Sequence, residues 1–289
     1  MKPVRLLLLV LVCLSLAACA RTFAYRFADT YIMWQVRGYV SLERSQRAEL
    51  RENINHLLQW HAETEMPHYD RLLRDLEQDI LAESLDAERY TYYQSQVELR
   101  WLAVREAIYQ SARELLPQLS DKQVAQLMES VAERIQERAD TFAEQGVDAR
   151  REEGAESYRK QIEKWFGEVT DEQEQSIAEW SETMPDMTDQ WIEYRVRWAE
   201  GLHMVLAVRN EHTVFAEQLA PLILNPETLR PEALQVKAAQ ADQVGQQSIL
   251  QIAGSLTESQ RQHFARELRD LRGDLASMAG TRGVDLGAD

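Results

Sequence analysis

His61, Glu65 and His68 stand at i, i+4 and i+7. On an unbroken helix that spacing lines up imidazole, carboxylate and imidazole, as a zinc site or an acid–base pair for hydrolysis requires. Trp60 beside them could desolvate a carboxyl group and raise its pKa. Pro67 interrupts the face, because a helix interior has no room for its ring, so one helix is expected to end before His68 and another to begin. The block then reads as structural, with Trp60 packed inward, His61 hydrogen-bonded across the turn and Tyr69 closing the corner. Burial of the whole Trp60 ring would make its replacement by Ala cost about 3–5 kcal/mol. A second cluster, Trp191, Tyr194, Arg195 and Trp198, shares a helical face near Arg197. Such a stripe suits core packing, and it also suits the stacking and cation–π contacts that hold a glycan or an extended peptide. A third line, Arg266, Arg269 and Arg272, has Glu267, Asp270 and Asp274 within pairing reach along the same helix, so a solvated, partly paired face is expected, with contact to lipid phosphate the alternative. Glycine-rich phosphate loops, nucleophile elbows and His-Glu-x-x-His are absent from the sequence. The reading is a non-enzymatic binding, scaffold or chaperone-like protein with no cofactor and no metal. A hydrolase or metal-binding protein built on Trp60, His61 and Glu65 is the alternative.

The elements that must carry these residues are helices. Gly and Pro are sparse, and apolar residues recur at helical spacing, as in Val124, Leu127, Val131 and Ile135 or Phe264, Leu268, Leu271 and Leu275. The fold class is therefore all-α, an array or bundle of antiparallel amphipathic helices. The periodicity predicts helices over Tyr31 to Val40, Glu43 to Glu63, Pro67 to Glu83, Ala87 to Leu116, Ser120 to Ala143, Arg151 to Phe166, Thr170 to Thr183, Pro185 to Leu219, Pro231 to Ala253 and Thr257 to Ser277. One helical domain over 31–278 is expected, with two halves that could meet near 146–154. Three helix starts are alike: Leu119-Ser120-x-x-Gln123, Val169-Thr170-x-x-Gln173 and Leu256-Thr257-x-x-Gln260, with a degenerate copy at Leu42-Glu43-x-x-Gln46. Each hydroxyl can cap the helix while Gln reaches back from the third position, so local capping accounts for the pattern. Trp60 before Met66-Pro67 and Trp180 before Met184-Pro185 form a second echo, which suggests duplication.

The amino terminus carries an address. Lys2 and Arg5 precede an apolar stretch from Leu6 to Leu16 and the small residues Ala17 and Ala18, a signal-peptide layout over residues 1–18. A membrane-spanning helix needs roughly 20 apolar residues, more than this stretch offers. Leu16-Ala17-Ala18-Cys19 resembles the lipobox of bacterial lipoproteins, which implies cleavage before Cys19 and lipid on its sulfur. By the same resemblance, Ala20 after the cysteine implies the periplasmic face of the outer membrane, with residues 19–30 as a lipidated tether and 279–289 as a flexible tail. Cys13 leaves with the leader and Cys19 is blocked, so no thiol is left for a disulfide or a nucleophile.

Loss of Lys2 and Arg5 takes the formal net charge from −16 to −18. Nucleic acid and anionic lipid surfaces should repel such a chain, since phosphate binding depends on neutralisation by Lys and Arg. The membrane is then reached through the lipid, and the expected partner is an envelope protein or glycan.

The Leu42 to Gln46 segment, the block Trp60-His61-Ala62-Glu63-Thr64-Glu65-Met66-Pro67-His68-Tyr69, and Val169 to Gln173 with Trp180, Trp191, Arg195 and Trp198 together resemble the proteobacterial lipoproteins grouped as domain of unknown function 6279. A basic residue often follows Trp-His in that pattern, where this chain has Ala62. The resemblance implies an envelope lipoprotein and brings no catalytic residue. The repeated Leu-Ser/Thr-x-x-Gln starts are also similar to those of the periplasmic helical chaperones of the Spy and CpxP type.

Overall fold

Helices follow one another with short connections throughout the computed structural model, which describes residues 25–287. They are α1 (Ala28–Arg37), α2 (Arg44–Trp60), a π-helical turn (His61–Glu65), α3 (Met66–Leu81), α4 (Ala87–Leu115), α5 (Asp121–Glu144), α6 (Val147–Phe166), α7 (Asp171–Thr183), α8 (Thr188–Ala207), α9 (His212–Ile223), α10 (Glu232–Gly254) and α11 (Glu258–Gly280). No strand occurs among the described residues, and the protein is all-α. Leu16, Ala17, Ala18 and Cys19 lie outside the described residues.

The two larger apolar cores of the array each draw on both sides of the 146–154 stretch. Leu119 and Val124 pack with Leu202, Val205, Leu206, Phe215, Leu219 and Leu222 in the first. Ile80 packs with Ile162, Ile177, Ile252, Leu256, Phe264 and Leu268 in the second. The helices exchange accordingly: α3 lies along α11, and α8 lies along α5.

All four anticipated helix starts are capping boxes, each with its Gln side chain bonded to the N-cap backbone. Local capping is only half of their role. The Gln46 and Gln123 amides donate to one another's oxygens at 3.1 and 2.7 Å, and Gln173 and Gln260 do the same at 3.0 and 2.8 Å. Each amide also donates to the carbonyl five residues before its partner glutamine: Gln46 to Gln118, Gln123 to Ser41, Gln173 to Ser255 and Gln260 to Glu168. The first pair clasps α2 to α5 and the second clasps α7 to α11, in one repeated arrangement. Glutamine is required because a carboxylate could accept at the cap but could not donate across the pair.

Four expectations change. Pro67 does not break the chain; α2 runs through the π turn into α3, with Met66 donating to the His61 carbonyl. The extra residue in that turn shifts the hydrogen-bond ladder where Pro67 has no N–H to give. The helix expected over 185–219 is interrupted between α8 and α9, where buried Arg209 turns back to donate to the Leu119 and Leu206 carbonyls and to Asp121. Residues placed in the tether are held, since Tyr25 donates to the Leu58 carbonyl at 3.0 Å. Where a loose tail is expected, Val284 and Leu286 pack beside Met66, and the Arg282 carbonyl accepts from Gln59.

Candidate functional site: an arginine and aromatic cleft

Of the Arg266, Arg269 and Arg272 line, Arg269 and Arg272 pair across helices, while Arg266 contacts His263 on its own helix. Arg272 meets Asp70 at 2.8 Å and Glu77 at 3.8 Å, and Arg269 meets Glu77 at 3.6 Å. Carboxylates thus close the α3/α11 contact.

The corresponding α5/α8 contact stays open and cationic. Tyr194, Arg195, Trp198 and Leu202 on α8 face Leu127, Val131, Arg134 and Ile135 on α5 across a cleft of about 680 Å³. Trp101 and Arg105, one turn apart on α4, Tyr39 from the α1–α2 connection, and Leu222 and Ile223 at the end of α9 with Pro226 just beyond it form the remaining walls. The Arg134 guanidinium lies 4.0 Å from the centre of the Tyr39 ring and donates to the Gly38 carbonyl. Arg105 stacks over Trp101 and pairs with Glu227 at 2.6 Å. Burial alone would raise the Glu227 carboxyl, but hydrogen bonds from Arg105 and the backbone, and the charges of Arg105 and Arg230, hold it below the usual range. Trp198 donates from its indole to the Leu222 carbonyl at 3.0 Å, which fixes the ring at the edge of the first core.

Arg195 and Arg134 have no ion pair with a described carboxylate. Partial burial pushes the Arg195 guanidinium down, and the like charge of Arg138 pushes it further. Burial raises the Tyr194 hydroxyl, which stays neutral as a hydrogen-bond donor. Crowded, unpaired guanidiniums beside aromatic faces in a protein of net charge −16 make a site for an anion with an apolar portion.

Of the second predicted cluster, Tyr194, Arg195 and Trp198 line this cleft. Trp191 stands behind them, edge-on to Tyr194 and beneath Arg230. Sequence reasoning missed Tyr39, Trp101, Arg105 and Arg134. The i, i+4 pair of Trp101 and Arg105 was a usable signal, whereas Tyr39 and Arg134 meet only through folding.

The first cluster does not gather as a site. Glu65 is 1 % exposed and sits 3.7 Å from Arg100 on α4. Its Oε2 has no hydrogen-bond partner among the described residues. His61 contacts the Tyr25 hydroxyl at 3.3 Å and the Tyr69 ring, and burial lowers its pKa so that it stays neutral. Trp60 is half-buried rather than enclosed. Among the described residues no three His, Cys, Asp or Glu side chains converge as metal ligands would.

Neither a curated protein nor a solved structure matches this chain. A family model does match, over residues 38–235, a span that takes in the cleft, three of the four capping boxes and the Trp60 to Tyr69 block; the chain belongs to the family of unknown function DUF6279.

Proposed function

We propose that the mature protein is a non-enzymatic binding protein of the cell envelope, tethered by lipid on Cys19 to the periplasmic face of the outer membrane, and that the α5/α8 cleft receives an anionic envelope component. The observation that carries the binding role is that Arg134 and Arg195 have no carboxylate partner among the described residues of an acidic chain. The leader and the Leu16 to Cys19 motif support the address, and no helix among the described residues is long and apolar enough to cross a membrane. Photo-crosslinking in living cells from position 101, compared with position 34 on the exposed face of α1, tests the cleft. A discrete adduct from position 101 that disappears in Arg134→Glu/Arg195→Glu is expected. Equal labelling from both positions would sink the assignment. Cys19→Ser should leave the protein unlipidated with an intact leader, read by mass spectrometry.

A chaperone-like role is the second reading, favoured by α4. That long helix has no buried residue, and Val97, Leu99, Trp101, Leu102 and Ile108 are exposed along it. Polypeptide clients would find apolar surface there. Suppressed aggregation of an unfolded client, lost in Val97→Asp/Leu102→Asp, is the expected outcome, and unchanged aggregation would remove the reading. The alternative hydrolase is disfavoured by the enclosure of Glu65 against Arg100.

A further inference from the structure

The cationic cleft has an apolar neighbour. A groove of about 330 Å³ runs between α1, α2, α4 and α5, lined by Val36, Val40, Leu50, Ile108, Leu115 and Leu119 among other residues. Tyr39 and Leu127 belong to the walls of both groove and cleft, so the two meet at that pair of side chains. The Tyr39 ring thus faces apolar groove on one side and carries the Arg134 guanidinium. Arg195 and Arg138 extend the positive charge beyond it. A ligand that filled both compartments would need a flexible hydrocarbon portion several carbons long joined to an anionic head. Two guanidiniums without carboxylate partners suit a head with several charged oxygens better than one with a single carboxylate, because each guanidinium can take two of them.

We propose that the groove and the cleft form one binding site for a single-chain lipid with a phosphate head, the acyl chain lying in the groove and the phosphate between Arg134 and Arg195. This rests on the reading of the cleft as a binding site and names its ligand class. A purely polar glycan would leave the groove empty. An acidic peptide would match the arginines but would have to feed an aliphatic side chain past Tyr39.

The test uses the full mature chain and 1-palmitoyl-lysophosphatidylglycerol below its micelle concentration. Binding is measured by titration calorimetry against 1-monopalmitoylglycerol, which lacks the phosphate, and glycerol phosphate, which lacks the chain. The intact lipid is expected to bind at least tenfold more tightly than either part. Arg134→Glu/Arg195→Glu should weaken it tenfold or more while leaving monopalmitoylglycerol unchanged. Ala112→Phe, in the groove, should weaken both lipids; if that variant melts early, Ile108→Trp at the exposed rim replaces it. Lipid binding indifferent to the arginines would overturn the proposal. Binding of an acidic peptide to the cleft, with none of the lipid, would overturn the ligand class and leave the binding reading intact. Failure of lipid, peptide and cellular crosslinking together would remove both.

Discussion

At the scale of single residues, the glutamine pairs make a claim that separates local capping from tertiary clasping. Gln173 is fully buried and Gln260 nearly so. In an isolated capping box Glu serves as well as Gln. Here Gln173→Glu would set a carboxylate against the Gln260 oxygen and the Ser255 carbonyl, and it should cost about 3 kcal/mol of unfolding free energy by urea titration at neutral pH. Gln46→Glu, at a half-buried site, should cost less. Equal and negligible effects at both positions would reduce the motif to capping. Asp186 gives a pH-dependent case. Burial alone would raise its carboxyl, but hydrogen bonds from Thr188 and Arg150 and the Arg150 charge outweigh this and bring it down to about 2 from the ordinary 3.8. A depressed carboxyl stabilises the fold above its unfolded value, and that contribution is lost as pH falls through the folded one. Solvent screening of this partly exposed group lowers the expected benefit to about 1 kcal/mol. Asp186→Asn should therefore be less stable than the parent by that amount at pH 6, with the difference shrinking as pH falls below the ordinary 3.8 and gone only below the folded value of about 2.

At the scale of elements, the π turn joins α2 to α3 without a break and delivers Glu65 to Arg100 on α4. Removing one member of a buried ion pair strands the other. Arg100→Leu should cost about 3–5 kcal/mol, and Glu65→Leu/Arg100→Leu should recover much of that loss, as read from denaturant midpoints. A double variant no more stable than the single would mean that loss of Arg100 does not strand Glu65. Trp60 sits one residue before the turn and is only half-buried, so Trp60→Ala should cost about 1–2 kcal/mol rather than the value for an enclosed ring. The echo at Trp180 ends differently, because Met184 before Pro185 is extended, with ψ 122°, whereas Met66 before Pro67 stays helical. Asp186 then starts α8 by accepting from the Thr188 backbone. The same Met-Pro spelling therefore continues one helix and stops another.

At the scale of the whole molecule, exchange of helices makes the two halves interdependent. Residues 25–145 hold Leu119 and Val124 of the first core but none of the α8 and α9 residues that enclose them. Expressed alone, that fragment should lack a cooperative thermal transition, and co-expression with 146–287 should restore one. A sharp transition for either fragment in isolation would contradict the interleaved cores. The same exchange explains the cleft: α3/α11 is closed by Asp70 and Glu77, while α5/α8 offers no carboxylate to Arg134 or Arg195. One arrangement thus yields a sealed contact and an open one.

Helical periodicity, four capping starts and the absence of strands were all written in the order of residues, because each depends on neighbours within a turn or two. Tyr194, Arg195 and Trp198 could be grouped for the same reason, as could the leader and its cysteine as an expectation. Partnership across the chain could not be read this way. Gln46 meets Gln123, Tyr39 meets Arg134, Glu65 meets Arg100, and Arg269 and Arg272 of α11 pair with Glu77 and Asp70 on α3, because packing selects partners by proximity in space. The continuity of α2 into α3 belongs to this second class as well: a proline signals a break locally, and the π turn that lets the helix pass through it is held by Ala62 and Met66 against Ala279 and by Glu65 against Arg100.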